Sequence, residues 1–231
     1  MKKLFTLLFI GVLLAACSKD NDASPTITPL LTALPDAKVE YDNSNFGIYK
    51  GVFVGSSGIV KINIKNDGNL SATITIEGNR FNFTANEPVF EDQAITGLTF
   101  TNGDKSFDFN CAANGDNVVI DAISFAGHDQ ASINVMKEYS DTLVKCYQGR
   151  YTGTVDQGVF NIMVAGAAVY GLALSDPLDS VLYIAGVTKN MTISGTMENG
   201  SFSGSIFGEN MSGVWQDNSH NSGAWTAKRT L

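Results

Sequence analysis

The chain has 231 residues, 44% of them apolar, with 15 basic against 23 acidic side chains and a formal net charge of −8. That balance argues against nucleic acid as a partner, because such binding depends on Lys and Arg neutralising phosphates. It suits a soluble, exposed body, and the apolar content can bury one large β domain or two small ones.

At the N-terminus Lys2 and Lys3 precede an uncharged apolar run, residues 4–16, that ends in the small pair Ala15-Ala16 before Cys17. A charged start, an apolar stretch and a small-residue cleavage site make up a secretory signal peptide. A bilayer span needs roughly 20 apolar residues, so the run is too short to be a permanent one. Leu14-Ala15-Ala16-Cys17 resembles the lipobox of bacterial lipoproteins. The resemblance implies removal of residues 1–16, a diacylglyceryl thioether on Cys17 and acylation of its new amino group. Two or three acyl chains hold a protein on a membrane without any span. Ser18-Lys19-Asp20-Asn21-Asp22 is similar to the short acidic export signal of Bacteroidota-type surface lipoproteins, which implies the outer membrane and display towards the exterior.

Residues 17–45 then carry Pro25, Pro29 and Pro35 among polar residues with only isolated apolar ones. Such a composition buries too little surface to offset the entropy of ordering, so the stretch is expected to be a flexible stalk behind the lipidated cysteine.

From Phe46 onward the pattern becomes period two. Val60-Lys61-Ile62-Asn63-Ile64-Lys65 alternates apolar and polar, as does the run from Leu70 to Ile76. Alternation of this kind marks half-buried strands, whose successive side chains point to opposite faces. Asn66-Asp67-Gly68-Asn69 between them reads as a hairpin turn, because Asp-Gly tolerates positive φ. Further turns are expected at Glu77-Gly78-Asn79, Asn102-Gly103-Asp104, Asn114-Gly115-Asp116 and Glu198-Asn199-Gly200. Residues 135–146 have room for one short helical turn at most.

The chain also repeats itself. Gly47-Ile48-Tyr49-Lys50-Gly51 has a counterpart in Gly149-Arg150-Tyr151-Thr152-Gly153, and Gly58, Val60, Ile62 and Ile64 match Gly158, Phe160, Ile162 and Val164 at a constant offset. Asn114-Gly115 lines up with Asn199-Gly200, and residues 133–137 with 225–229. Two β modules are therefore expected, 46–138 and 148–231, joined by a linker over 139–147. Each has room for about eight antiparallel strands, and closing such a sheet into a barrel removes its exposed edges. The alternative is one larger barrel or sandwich built from both halves.

Glycine beside aromatic residues fits a narrow barrel, where a strand bends next to a large ring. The Gly-x-Tyr-x-Gly openings, Phe202-Ser203-Gly204 and Gly213-Val214-Trp215 resemble the small calycin-like and transferrin-binding-type β-barrels of bacterial surface lipoproteins.

No catalytic constellation stands out. His128 and His220 fall in polar turns without a nearby Cys, Glu or second His, so neither reads as a metal ligand or an acid–base group. Gly200-Ser201-Phe202-Ser203-Gly204 alternates like a strand and does not fit a nucleophile elbow. No cofactor motif and no metal site is expected. Trp215 and Trp225, each following a glycine by two residues, are either stacking platforms for a ligand at a barrel mouth or core plugs, and alternation favours the core. Cys111 and Cys146 are left after acylation of Cys17 and can bridge in an oxidising compartment or stay as two buried thiols. Asp141-Thr142-Leu143 and Asp179-Ser180-Val181 resemble the short O-glycosylation site of Bacteroidota-type exported proteins, which would place sugar on Thr142 and Ser180. The expectation for function is a non-catalytic, surface-exposed lipoprotein that binds a glycan, a small ligand or a protein; the alternative is a structural or assembly component of the envelope, and a hydrolase ranks last.

Overall fold

The computed structural model describes residues 31–231. The expected signal peptide, Cys17 and the part of the expected stalk up to residue 30 lie outside the described residues.

The expected alternation becomes strands throughout. The first module comprises β1 (Gly47–Val54), β2 (Gly58–Ile64), β3 (Leu70–Ile76), β4 (Asn79–Thr84), β5 (Ile95–Asn102), β6 (Lys105–Cys111), β7 (Val119–Ser124) and β8 (Ser132–Glu138). The second comprises β9 (Val144–Gly153), β10 (Gly158–Ala165), β11 (Ala168–Ser175), β12 (Ser180–Lys189), β13 (Thr192–Met197), β14 (Gly200–Phe207), β15 (Asn210–Asp217) and β16 (Ser222–Arg229). All five turns read from Gly and Asn fall between strands, and no helical turn forms at 135–146, where β8 runs through a tight turn into β9. Module 2 accordingly begins at Val144, and the linker shrinks to 139–143.

Each module is one antiparallel sheet of eight strands. The second closes into a barrel by pairing β16 with β9, and the first runs β7-β6-β5-β4-β3-β2-β1-β8 and is nearly closed, open only between β7 and β8. No strand of one sheet pairs with a strand of the other, which disposes of the single larger barrel.

Register refines the repeat. Tyr49 stands opposite Ile62 and Lys137, while Tyr147 stands opposite Ile162 and Arg229. The partner of Tyr49 is thus Tyr147, four positions from Tyr151, and Gly51 matches Gly149. The β2–β10 match and the closing match of 133–137 with 225–229 hold in this register. The Asn-Gly match does not: Asn114 lies between β6 and β7, Asn199 between β13 and β14, at opposite ends of their modules.

The first barrel is filled. Tyr49, Phe53, Phe83, Phe100, Phe107 and Phe109 are fully buried inside it with Ile62, Ile64 and Ile74. Both faces of β1 are buried, because its outward set lies under module 2 and the chain before β1. Val52, Val144, Cys146 and Met163 form a dry seam there. A fully buried Val or Met contributes about 1.5–3 kcal/mol, so the modules pack as one body. Asn161, fully buried in β10, donates to the Phe53 carbonyl (2.7 Å) and accepts from Ser57 Oγ (3.0 Å) across this seam.

The expected flexible stalk does not extend over residues 31–45. Residues 31–45 are tied to the modules, with one 3-10 turn at Val39–Tyr41. The buried Lys50 ammonium pairs with Asp36 (2.9 Å) and with the fully buried Glu138 (2.7 Å), and Glu138 also accepts from the amides of Asp36 (2.7 Å) and Val144 (3.0 Å). Every charge in this cluster is answered, as a buried ion pair requires. Lys137 donates to the carbonyls of Ser44 and Asn114, and its counterpart Arg229 donates to the carbonyl of Thr32. Segment 31–45 is a strap held by equivalent basic residues of the two modules.

Candidate functional site

The two barrels differ at the end formed by their β1–β2 and β9–β10 loops. In the first, the connection between β7 and β8 turns Phe125 into the barrel, where it packs on Phe53 (5.4 Å between ring centroids) and Phe83 (5.7 Å). His128 in the same connection lies edge-on to Phe53 and shares a 3.0 Å hydrogen bond with the Gly55 carbonyl. It is a half-buried cap rather than a freely solvated turn residue. The equivalent connection in the second barrel is the short polar turn Asn218-Ser219-His220-Asn221, with His220 exposed and in a left-handed conformation. It offers nothing to plug the end.

A cavity of about 230 Å³ is left there, open between the 154–157 and 176–179 loops and the β13–β14 and β15–β16 turns. Its walls are Tyr151, Phe160, Ile184, Phe202, Trp215 and Trp225, and Val155 and Leu178 stand at the opening. Both of these last are largely exposed. Volumes of about 300–1,000 Å³ suit drug-sized ligands, and a cavity of about 150 Å³ takes benzene. The space therefore fits a single ring or a short chain with a few further atoms.

Trp215 and Trp225 are both core and wall. They are buried, lie in the barrel's apolar cluster and bound the cavity. Their indole N–H groups donate to the carbonyls of Thr152 and Val214, both at 3.1 Å, so neither is left unpaired. Trp215 meets Tyr151 edge to face at 5.9 Å, and Trp225 meets Phe160 at 5.6 Å. Glycine makes these placements feasible: a Cβ at Gly153 would stand 2.5 Å from Trp215 Cζ2, and one at Gly213 2.6 Å from Trp225 Cζ2. Glycine beside large rings is the feature read from sequence, and here it seats the walls.

Polar groups sit at the rim. Asp156 Oδ1 accepts from Tyr151 Oη (3.2 Å) and Ser175 Oγ (2.8 Å), and Ser175 Oγ in turn accepts the Leu178 amide (3.3 Å). Burial and the nearby Asp156 carboxylate push the Tyr151 phenol above its ordinary range, so it remains a donor. Asp217 accepts from the amides of Ser219 and Asn221 and from Asn221 Nδ2, all at 2.8 Å, and the Asn221 side chain holds its carboxyl below the usual range. Sequence reasoning passed over Asp156, Asp217 and Leu178, since each reads locally as an ordinary turn residue; the signal it had was the missing apolar residue in turn 218–221 where the first module carries Phe125.

Other candidate residues are dispersed. Cys111 lies in the first barrel's core and Cys146 in the seam; both are free, buried thiols, so the bridge left open by the sequence is not formed. Thr142 is half-buried in the linker, its hydroxyl on Asp141 (2.8 Å), and Ser180 is half-buried at the start of β12 opposite Ser175. Among the described residues no group of three or more His, Cys, Asp or Glu gathers to hold a metal. No protein-family model matches the chain, and no curated protein is similar to it.

Proposed function

We propose that this chain is an outer-membrane lipoprotein, acylated on Cys17 and facing the exterior, whose second barrel holds a compact apolar ligand without transforming it. The observation that supports binding is the aromatic-walled cavity of about 230 Å³ at one end of an otherwise packed barrel. The first barrel, filled with phenylalanine, is the scaffold on which the second is mounted. The support for the anchor is the lipobox-like stretch ending at Cys17.

The chain's only two tryptophans both line the cavity, so intrinsic emission reports on it directly. Titrating the full chain carrying Cys17→Ser with ethylbenzene is expected to change that emission saturably, and Ala173→Phe, which fills the cavity, to abolish the change. A titration that stays flat with ethylbenzene and with its charged analogues of the same shape overturns the binding reading. In cells Cys17→Ser is expected to leave the membrane fraction, and its retention there overturns the anchor.

A second reading, a structural component that docks another envelope protein, is favoured by the outer wall of β11 and β12. There Tyr170, Tyr183 and Val187 are 45%, 60% and 55% exposed on one face.

A further inference from the structure

The charged residues lining the cavity are all of one sign. Asp156 comes from the β9–β10 loop, Asp217 from the end of β15 and Asn199 from the β13–β14 turn, and no Lys, Arg or His lines the space among the described residues. Arg150, on the neighbouring outer face, faces Asp176 at 3.8 Å instead. The two carboxylates are not equivalent. Asp217 uses both oxygens on the turn that follows it and serves as a fixed negative charge. Asp156 uses only Oδ1, on Tyr151 and Ser175, and its Oδ2 takes no hydrogen bond from any described residue. The Asp156 carboxylate meets the hydroxyl end of Tyr151, and the Tyr151 ring stands at 88° to that of Trp215 in the wall of the same cavity.

A carboxylate with a free oxygen at the mouth of an aromatic-walled cavity is the chemistry that receives an ammonium group, through its charge and, from the walls, through the ring quadrupoles. A fatty or aromatic carboxylate would instead bring its charge to Asp156 and Asp217 with no cation to answer it, and desolvating an unanswered charge is costly. We infer that the ligand of the second barrel is an apolar cation, an amine or ammonium whose apolar body fills the cavity and whose nitrogen sits at the mouth against Asp156, Tyr151 and Trp215. This rests on the binding reading above and narrows it to one ligand class.

Three probes of similar shape separate the two. Ethylbenzene, 2-phenylethylamine and 3-phenylpropionate are titrated at neutral pH into the full chain carrying Cys17→Ser, with tryptophan emission as the readout. The amine is expected to bind about tenfold or more tightly than the carboxylate, the size of effect a charged hydrogen bond gives. Rising ionic strength is expected to shrink that ratio, since the mouth is open to solvent. Asp156→Asn keeps an oxygen for Tyr151 and Ser175 while removing the charge, and it is expected to lower the amine-to-ethylbenzene affinity ratio about fivefold or more. A carboxylate that binds as well as the amine, or a ratio indifferent to both salt and Asp156→Asn, overturns the inference and leaves the cavity reading standing. Failure of all three probes overturns the cavity reading itself.

Discussion

Gly153 has no room for a methyl group, since the nearest atom to a Cβ there is Cζ2 of the Trp215 ring that walls the cavity, with the Ser222 and Asp156 carbonyls close behind at 3.0 and 3.1 Å. Gly153→Ala must therefore displace the indole or bend β9. Overpacking of this kind costs about 1–3 kcal/mol, so the variant is expected to melt earlier and to show shifted tryptophan emission before any ligand is added. An unchanged melting temperature and spectrum would mean that the ring is not seated on the glycine. The pairing of glycine with large rings was legible in the sequence, because Gly213 and Gly223 precede Trp215 and Trp225 by two residues and so share their faces. Whether the rings fill the barrel or border a space was not, since that depends on the turn at 218–221, which supplies no counterpart of Phe125.

At the scale of elements, the strap was the least legible part. Residues 31–45 show no periodicity, and their contacts are ion pairs and hydrogen bonds to residues far along the chain: Asp36 to Glu138, Ser44 to Lys137, Thr32 to Arg229. Nor does Lys50 announce itself, since within the alternation of β1 it reads as an outward, solvated residue, yet it is buried under the strap. The repeat misleads in a related way. Two Gly-x-Tyr-x-Gly strings look equivalent, while cross-strand pairing, which no local string encodes, sets them four positions apart.

The strap also gives a pH dependence. Burial works against the Asp36 charge, but the Lys50 and Lys61 ammoniums more than offset it and hold the carboxyl below its ordinary range. A carboxyl depressed in the folded state stabilises fully above its unfolded pKa, about 3.9, and that contribution is lost as pH falls through the folded value. The gap in melting temperature between the native chain and Asp36→Asn is thus expected to be widest at neutral pH and to close in acid. A gap that stays constant across that range would show that the Asp36 charge does not hold the strap.

Over the whole molecule, the two modules and their strand count were legible because hairpin turns punctuate a period-two pattern at short intervals. Their fusion was not, because a strand buried on both faces differs from a half-buried one only where Val52, Asn161 and Met163 replace charged residues on the outer side. Cys146 reports on that seam. Burial pushes its thiol up to about 12, and burial likewise raises Cys111 inside the first barrel. Neither is expected to react with iodoacetamide in the folded protein at mildly alkaline pH, and both are expected to be alkylated together once denaturant is added, without prior reduction. Labelling of Cys146 well below the denaturant midpoint would show that the modules part before they unfold, and a need for reductant would restore the disulfide.

Arg229 at the end of β16 holds the Thr32 carbonyl, and β16 begins at the turn that edges the cavity. The strap therefore meets the second barrel at the end remote from the mouth. Through the Arg229 guanidinium and the Lys50–Asp36 pair the strap is tied into both sheets, far from the loops around the opening. A pull on this strap would act on residues remote from the rim at Asp156 and Asp217.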